Sequence, residues 1–109
     1  MVILSLELII KVLVELGLSR SDAELYVYLA KKGPQKTVDL AKALIYNKRE
    51  IYSSLRNLQT KGLVTKDRTS FSALPFEEAL ELLISKEKEK AQAVQKSKDE
   101  LLASWETKE

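Results

Sequence analysis

The stretch between residues 37 and 66 constrains the fold more than any other part of the chain. It reads TVDLAKALIYNKREIYSSLRNLQTKGLVTK, which predicts a short helix, a tight turn, a second helix and the beginning of a strand. Two helices joined by so short a turn form a helix-turn-helix. The apolar positions are Val38, Leu40, Ala41, Leu44 and Ile45 in the first helix, and Ile51, Leu55 and Leu58 on one face of the second.

Polar residues mark where three of the predicted helices begin. Asn47 and Glu50 are spaced as in a capping box, in which each side chain accepts a hydrogen bond from the backbone amide of the other residue. Thr37 is predicted to cap the preceding helix. Earlier in the chain, Ser19 and Asp22 predict the start of a helix that stops at a Gly-Pro pair. The residues predicted to form the buried side of that helix are Ala23, Tyr26, Val27, Leu29 and Ala30.

The side of the second helix that faces away from its apolar stripe is basic and rich in hydrogen-bonding groups. The major groove of B-DNA admits a helix, and Arg, Asn and Ser are among the side chains that read base edges there. We therefore predict that this side contacts DNA bases; an ordinary solvated helix surface is the alternative. The residues concerned are Arg49, Ser53, Arg56, Asn57 and Thr60.

Residues 63–74 place alternating apolar and polar positions on both sides of a polar tip, which predicts a β-hairpin behind the helix-turn-helix. Such a hairpin forms a wing whose basic edge meets the DNA backbone or the minor groove. A tip that is polar only because it is solvated is the alternative. The residues predicted to hold phosphates, on the wing and on the helices, are Lys36, Thr37, Lys42, Lys48, Lys66 and Arg68.

Charge is distributed unevenly along the chain, although the net charge is only +2. Residues 31–68 hold 10 Lys and Arg against 3 Asp and Glu, whereas residues 76–109 hold 6 against 9. A basic centre beside an acidic end is expected when one part of a protein meets phosphate and another part does not.

The composition argues against most kinds of active site. The chain has no Cys and no His, so it lacks thiolate nucleophiles, disulfides, and the commonest metal ligand and general base. Its three Gly residues form no phosphate-binding loop. We therefore expect no enzyme activity, no metal and no cofactor. The length predicts one domain with an appendage: a winged-helix domain in residues 1–75 and a dimerisation helix in residues 76–109.

The first sixteen residues predict a helix that is apolar around most of its circumference. Glu7, Lys11 and Glu15 are spaced four residues apart and form a single charged stripe. A helix with so narrow a polar stripe is buried on two sides, and we assign one side to its own domain and the other to a second subunit. Because these charges fit neither a signal peptide nor a membrane span, we expect a cytoplasmic protein.

Residues 76–109 contain no Gly or Pro and predict one long helix. Seam positions spaced alternately four and three residues apart indicate a coiled coil. In an antiparallel homodimer with its dyad between Gln92 and Ala93, Glu87 faces the partner's Lys98, whereas parallel pairing would place like charges together. A helix that folds back on its own domain is the alternative. The seam comprises Leu80, Ile84, Glu87, Ala91, Val94, Lys98, Leu101 and Trp105.

Three segments together resemble the winged-helix domain of archaeal TrmB-type transcriptional regulators. They are LGLSRSDAELYVYLAKKGP (16–34), REIYSSLRNLQTKGLV (49–64) and FSALPFEEALE (71–81). The resemblance implies a DNA-binding winged helix. Asn47 and Lys48 stand where the family has Pro-Arg, so the family's arginine contact carries over only as a basic residue, Lys48. The sugar-binding domain of full-length members has no counterpart in these residues, so we expect no sugar effector.

The expected fold is mainly α with a small β-hairpin: a winged helix-turn-helix followed by a long coiled-coil helix. The first functional hypothesis is a homodimeric transcriptional regulator that reads duplex DNA. The second is an architectural nucleoid-type protein that coats or bridges DNA with little sequence preference. The third is a winged helix that docks another protein through its first helix. Selective duplex binding supports the first, unselective binding the second, and no duplex binding the third.

Overall fold

The computed structural model describes residues 2–107 and the side chains of residues 6–106. Met1, where the first helix was predicted to begin, and Lys108 and Glu109, at the end of the predicted tail helix, lie outside the described residues. In chain order the elements are α1 (Val2–Glu15), α2 (Arg20–Lys32), β1 (Gln35–Lys36), α3 (Thr37–Ala43), α4 (Lys48–Thr60), β2 (Val64–Asp67), β3 (Ser70–Ala73), α5 (Phe76–Lys96) and α6 (Lys98–Thr107).

Two of the three predicted helix caps are confirmed. The Ser19 side chain accepts a hydrogen bond from the Asp22 amide at 3.1 Å. At the start of α4, the Glu50 amide donates to Asn47 Oδ1 at 2.8 Å, and the Asn47 amide donates to Glu50 Oε1 at 2.9 Å. The predicted Thr37 cap is wrong: Lys36 is the last extended residue of β1 and holds the N-cap position without a side-chain bond.

Three short antiparallel strands form a sheet in the order β1-β3-β2. The predicted hairpin is confirmed, with Lys66 opposite Phe71 and Asp67 opposite Ser70 across a two-residue loop. The third strand, β1, adds Lys36 opposite Ser70 on the other side of β3. Helices α2, α3 and α4 with this sheet make a winged helix-turn-helix, so the predicted fold is confirmed.

The core lies where α4, α2, α1 and the sheet meet. The apolar stripe of α4 is entirely inside it, since Ile51, Leu55 and Leu58 are each at most 1% exposed. Buried Tyr26 of α2 donates its hydroxyl proton to the carbonyl of Leu74, which ties the helix to the end of the wing. Burial raises the pKa of Tyr26 to about 12. The first turns of α5 also enter this core through Ala79 and Leu83.

Two helices differ from their predicted apolar faces. On α2, Leu25 is buried although the sequence pattern did not single it out, and Ala30, predicted to be buried, is exposed. Helix α3 ends at Ala43, so Leu44 and Ile45 lie in the turn rather than in the helix, and Ile45 is 93% exposed. The turn therefore begins earlier than the apolar pattern indicated.

The C-terminal part is two helices rather than the single predicted one. Ser97 interrupts the helix with φ −92° and ψ 2°, and its hydroxyl donates to the carbonyl of Ala93 at 3.1 Å. Bonds of this kind, from a Ser side chain to the carbonyl four residues back, bend helices. No helix within residues 2–107 combines the length and hydropathy that a membrane span requires.

Candidate nucleic-acid interface

Helix α4 presents a polar and basic surface on the side opposite its buried stripe. All five residues predicted to read bases are exposed there. At 100° per residue, Arg49, Ser53, Arg56 and Thr60 point within about 30° of the direction directly away from the core, and Asn57 lies on one flank. The structure therefore brings the five residues together on one surface, while their contact with DNA stays a prediction.

The flank that carries Asn57 faces α2 across a shallow groove of about 290 Å³. Ser53 and Asn57 line this groove together with Asp22, Glu50 and Arg49, so it contains two carboxylates and one guanidinium as well as hydrogen-bonding groups. At its base, Ser54 of α4 and Ser21 of α2 place their hydroxyl oxygens 3.5 Å apart. This flank is less basic than the centre of the face.

A chain of polar contacts fixes the turn in front of α4. The Tyr46 hydroxyl donates to Glu24 Oε1, and Arg20 bonds Glu24 Oε2 at 2.9 Å and Glu7 Oε2 at 3.1 Å. The bond to the Glu24 carboxylate and burial raise the pKa of Tyr46 to about 12. Exposed ion pairs of this kind contribute little stability. These contacts instead hold α1, α2 and the turn before α4 in position relative to one another.

The residues predicted to hold phosphates lie on β1, α3, α4 and the wing. Lys36, Lys42, Lys48, Lys66 and Arg68 are exposed, and Thr37 is half-buried. Pairing of Lys36 with Ser70 places it beside the base of the wing loop. The Lys66 ammonium lies 5.5 Å from the centre of the Phe71 ring, a cation–π distance that holds the lysine stem against the sheet.

The wing tip places an arginine in the left-handed region of backbone conformation. Arg68 has φ 61° and is the first of the two loop residues. Two-residue hairpin loops of the primed type need positive φ at this position, which usually holds Gly, Asn or Asp. An arginine there costs about 1–2 kcal/mol. Exposed Asp67 lies beside it, so the tip is not uniformly basic.

Tyr52 is a candidate contact residue that the sequence pattern did not single out. It is 53% exposed and lies three residues after Arg49 and four before Arg56, on the same side of α4. That spacing was the available signal.

More than half of the chain matches one known protein family. Residues 13–77 match the family described as the sugar-specific transcriptional regulator TrmB, which is more than half of the chain. The chain belongs to the TrmB family. The resemblance found in the sequence is thereby confirmed.

Among solved structures, this TrmB-family chain is similar to TrmBL2, described as an archaeal chromatin protein with a novel mode of DNA binding. The identity is 26% and the TM-score is 0.72, and the match covers 91% of this chain. It covers 41% of TrmBL2, so this chain spans less than half the length of that protein. No curated protein sequence gives a significant match.

The predicted seam of this TrmB-family chain divides into two parts. Leu80 packs partly against the core, and half-buried Glu87 accepts a hydrogen bond from Lys90 at 3.3 Å. The remaining seam residues are exposed: Ile84 (43%), Val94 (60%), Leu101 (55%) and Trp105 (75%), with Ala91 and Lys98. Pairing with a second chain stays a prediction.

Proposed function

We propose that this chain is a transcriptional regulator that binds duplex DNA as a homodimer, with α4 of each copy in the major groove. One observation carries the proposal: of the five predicted base-reading residues, all exposed, four lie on the face of α4 opposite its buried stripe and Asn57 lies on the adjoining flank. Membership of the TrmB family and the similarity to a DNA-binding chromatin protein support DNA as the partner.

The two kinds of polar residue have different tasks in this proposal. Arg49 and Arg56 point straight out from α4, where a guanidinium can bond the O6 and N7 atoms of guanine. Lys42 and Lys48 flank them and hold phosphates, which fix the position of the helix but carry no sequence information.

The wing supplies further contacts in the same proposal. Lys66 and Arg68 bind the backbone or the minor groove beside the site read by α4. The folding cost of an arginine at positive φ fits this role, because a contact with DNA would offset it. Replacing Arg68 by glycine, which this turn favours, separates its cost to folding from its contribution to DNA binding. Arg68→Gly is expected to weaken DNA binding while leaving the free energy of unfolding unchanged or raising it by up to about 1 kcal/mol.

Residues 76–109 form the dimerisation part of the proposal, and residues 1–75 the DNA-binding part. In the antiparallel arrangement Leu80 meets the partner's Trp105, and Ile84 meets the partner's Leu101. Ala91 meets the partner's Val94, and Glu87 meets the partner's Lys98, a pairing that sets register more than it adds stability. The exposed side chains of Ile84, Val94 and Leu101 support this assignment. On α1, exposed Leu8 and Val14 support a second contact between the copies.

The length of α5 bears on the DNA sites that such a dimer can reach. About 16 residues of helix separate the proposed dyad from Phe76, which is roughly 25 Å. The two half-sites then lie further apart than one turn of DNA unless the winged domains fold back toward the axis.

The proposal is tested by selecting bound duplexes from a random pool and then comparing variants on the selected and random sequences. Arg56→Ala is expected to cost about 1–3 kcal/mol on the selected duplex only, since it loses a base contact. Lys42→Ala is expected to weaken binding to both duplexes and to reduce the salt slope by about one unit. Lys88→Ala, an exposed change on α5 away from the face, serves as the control. Equal losses on both duplexes for Arg56→Ala would contradict the assignment of the base-reading face.

The similarity to TrmBL2 favours a second candidate function, an architectural protein that coats or bridges DNA. It would use the same positive charges through phosphate contacts alone. The discriminating measurement is the ratio of affinities for selected and random duplexes. A ratio below about 10 supports the architectural role, whereas sequence-reading proteins reach about 10³ or more.

A further inference from the structure

Helix α4 exposes one large aromatic side chain at one edge of its cationic surface. Tyr52 is 53% exposed and shares one side of the helix with Arg49 and Arg56. At 100° per residue it points about 70° away from the centre of the outward face, whereas Arg49 and Arg56 point within about 30° of it. If the outward face of α4 points at the base edges of a DNA groove, the Tyr52 ring therefore lies between those base edges and the sugar-phosphate backbone at the side of the groove.

The two flanks of α4 differ in chemistry. On the flank that carries Asn57, the groove toward α2 contains hydroxyls and the carboxylates of Asp22 and Glu50, with Arg49 at its border with the outward face. On the opposite flank Tyr52 follows Lys48 by one turn, and both are exposed. Among the exposed residues of α4, Tyr52 is the one large apolar side chain. An exposed aromatic ring beside cationic side chains fits an anionic partner that also offers an apolar surface.

We propose that Tyr52 is a specificity-determining residue whose ring packs against the 5-methyl group of a thymine in the major groove. This inference rests on the proposed function, because it assumes that α4 enters that groove. The thymine methyl is the apolar group that base pairs present there, and it distinguishes A·T pairs from the others. The aromatic ring supplies a large contact area at the edge of a face that otherwise offers polar atoms.

Val38 on α3 and Ile45 in the following turn are further exposed apolar side chains of the helix-turn-helix, at 44% and 93%. Lys42 lies between them in sequence, at four and three residues' distance, and is exposed as well. Asp39 is the one acid of α3. Within α4, the charged residues three or four positions from Tyr52 are Lys48, Arg49 and Arg56, all cationic. A phosphate-bearing duplex therefore fits this surface better than an apolar protein face does.

The experiment compares a short A·T-rich duplex with the same duplex in which deoxyuridine replaces every thymine. This change removes the 5-methyl group and keeps all base-pairing atoms. The wild-type chain is expected to bind the thymine duplex about fourfold more tightly for each methyl group that Tyr52 covers. Tyr52→Ala is expected to lower this ratio to about one, whereas Tyr52→Phe keeps it. Gln59→Ala, an exposed change on the same flank, is the matched control and keeps the wild-type ratio.

Each alternative gives a different result. Equal binding of both duplexes by the wild-type chain overturns the inference and leaves the proposed function standing. No binding of either duplex at low salt contradicts the proposed function itself. A Tyr52→Phe variant that loses as much affinity as Tyr52→Ala points to a phosphate bond from the hydroxyl and overturns the methyl contact. Unchanged binding of both duplexes by Tyr52→Ala means that this surface does not face DNA.

The test does not depend on the folding of one variant. The wild-type comparison needs no substitution, and Tyr52→Phe keeps the ring. Tyr52→Ala replaces a half-exposed residue by a better helix former, so its melting temperature, measured by circular dichroism, is expected to stay close to that of the wild type.

Discussion

Helix α4 and the α5–α6 segment both carry apolar residues at helical spacing, but most of these residues lie in opposite environments. Ile51, Leu55 and Leu58 of α4 are each at most 1% exposed, whereas Val94 and Leu101 of the C-terminal segment are 60% and 55% exposed. The spacing of apolar residues thus identifies the apolar face of a helix, but it does not tell which surface covers that face. For α4 the cover comes from the same chain; for the C-terminal segment we propose a second copy.

The C-terminal segment exposes several large apolar side chains, which makes its difference from α4 informative. Single exposed apolar residues are ordinary on protein surfaces, whereas a series of them along one segment marks an interaction surface. Within residues 94–105 the seam carries Val94, Leu101 and Trp105, each exposed by 55% or more. The exposed part of the seam is therefore the region in which a partner would bury the most apolar surface.

The largest expected effect comes from α4. Leu55→Ala removes a buried side chain from the core and is expected to lower the free energy of unfolding by about 2–5 kcal/mol. Urea denaturation followed by circular dichroism measures it, with Leu102→Ala, a change to a half-exposed leucine on α6, as the comparison. Equal losses for the two variants would remove the difference between the two regions.

The next effect concerns the proposed dimer. Leu101 is 55% exposed, so a partner can cover about half of its surface, and Leu101→Ala is expected to cost roughly 1 kcal/mol per copy. For two copies the dimer dissociation constant then rises about thirtyfold. Analytical ultracentrifugation over a range of concentrations measures it, with Ala103→Ser as the control. A dissociation constant that does not change would argue against Leu101 in the interface.

A smaller effect is expected from the capping box of α4. Asn47→Ala removes the acceptor of the Glu50 amide hydrogen and is expected to cost about 1 kcal/mol. Thermal unfolding measures it, and Thr37→Ala provides the comparison, because α3 has no side-chain cap. A Thr37→Ala loss as large as that of Asn47→Ala would contradict the structural assignment of the two caps.

The smallest effect is expected at the interruption between α5 and α6. Ser97→Ala removes the hydroxyl that bonds the Ala93 carbonyl and introduces a better helix former. The helical signal in circular dichroism is expected to rise slightly, with a gain in stability of about 0.5 kcal/mol. A loss of helical signal would show that the serine supports the helix rather than interrupting it.

Local patterns predicted the parts of the fold that depend on neighbouring residues. The capping box at Asn47 and the stripe of Ile51, Leu55 and Leu58 follow from spacings of three and four residues, and both are confirmed. The cap predicted at Thr37 is wrong because Lys36 pairs with Ser70, a partner 34 residues away that the local pattern does not contain.

In the candidate site, too, local spacing predicted some positions, whereas others depend on tertiary packing. Arg49 and Arg56 were predicted to be exposed because they lie opposite the apolar stripe. Tyr52 was not singled out, because an aromatic residue next to Ile51 fits a buried or an exposed position equally well by pattern alone. Only the packing of α4 against α2 and α3 decides between the two positions.

The measurement that tests the central claim most directly is methylation interference on a selected duplex. Methyl groups on guanine N7 block the major groove at the atom that an arginine would bond. A homodimer with α4 of each copy in the major groove predicts interfering guanines in two clusters related by two-fold symmetry. Binding that tolerates N7 methylation throughout the duplex would contradict the account.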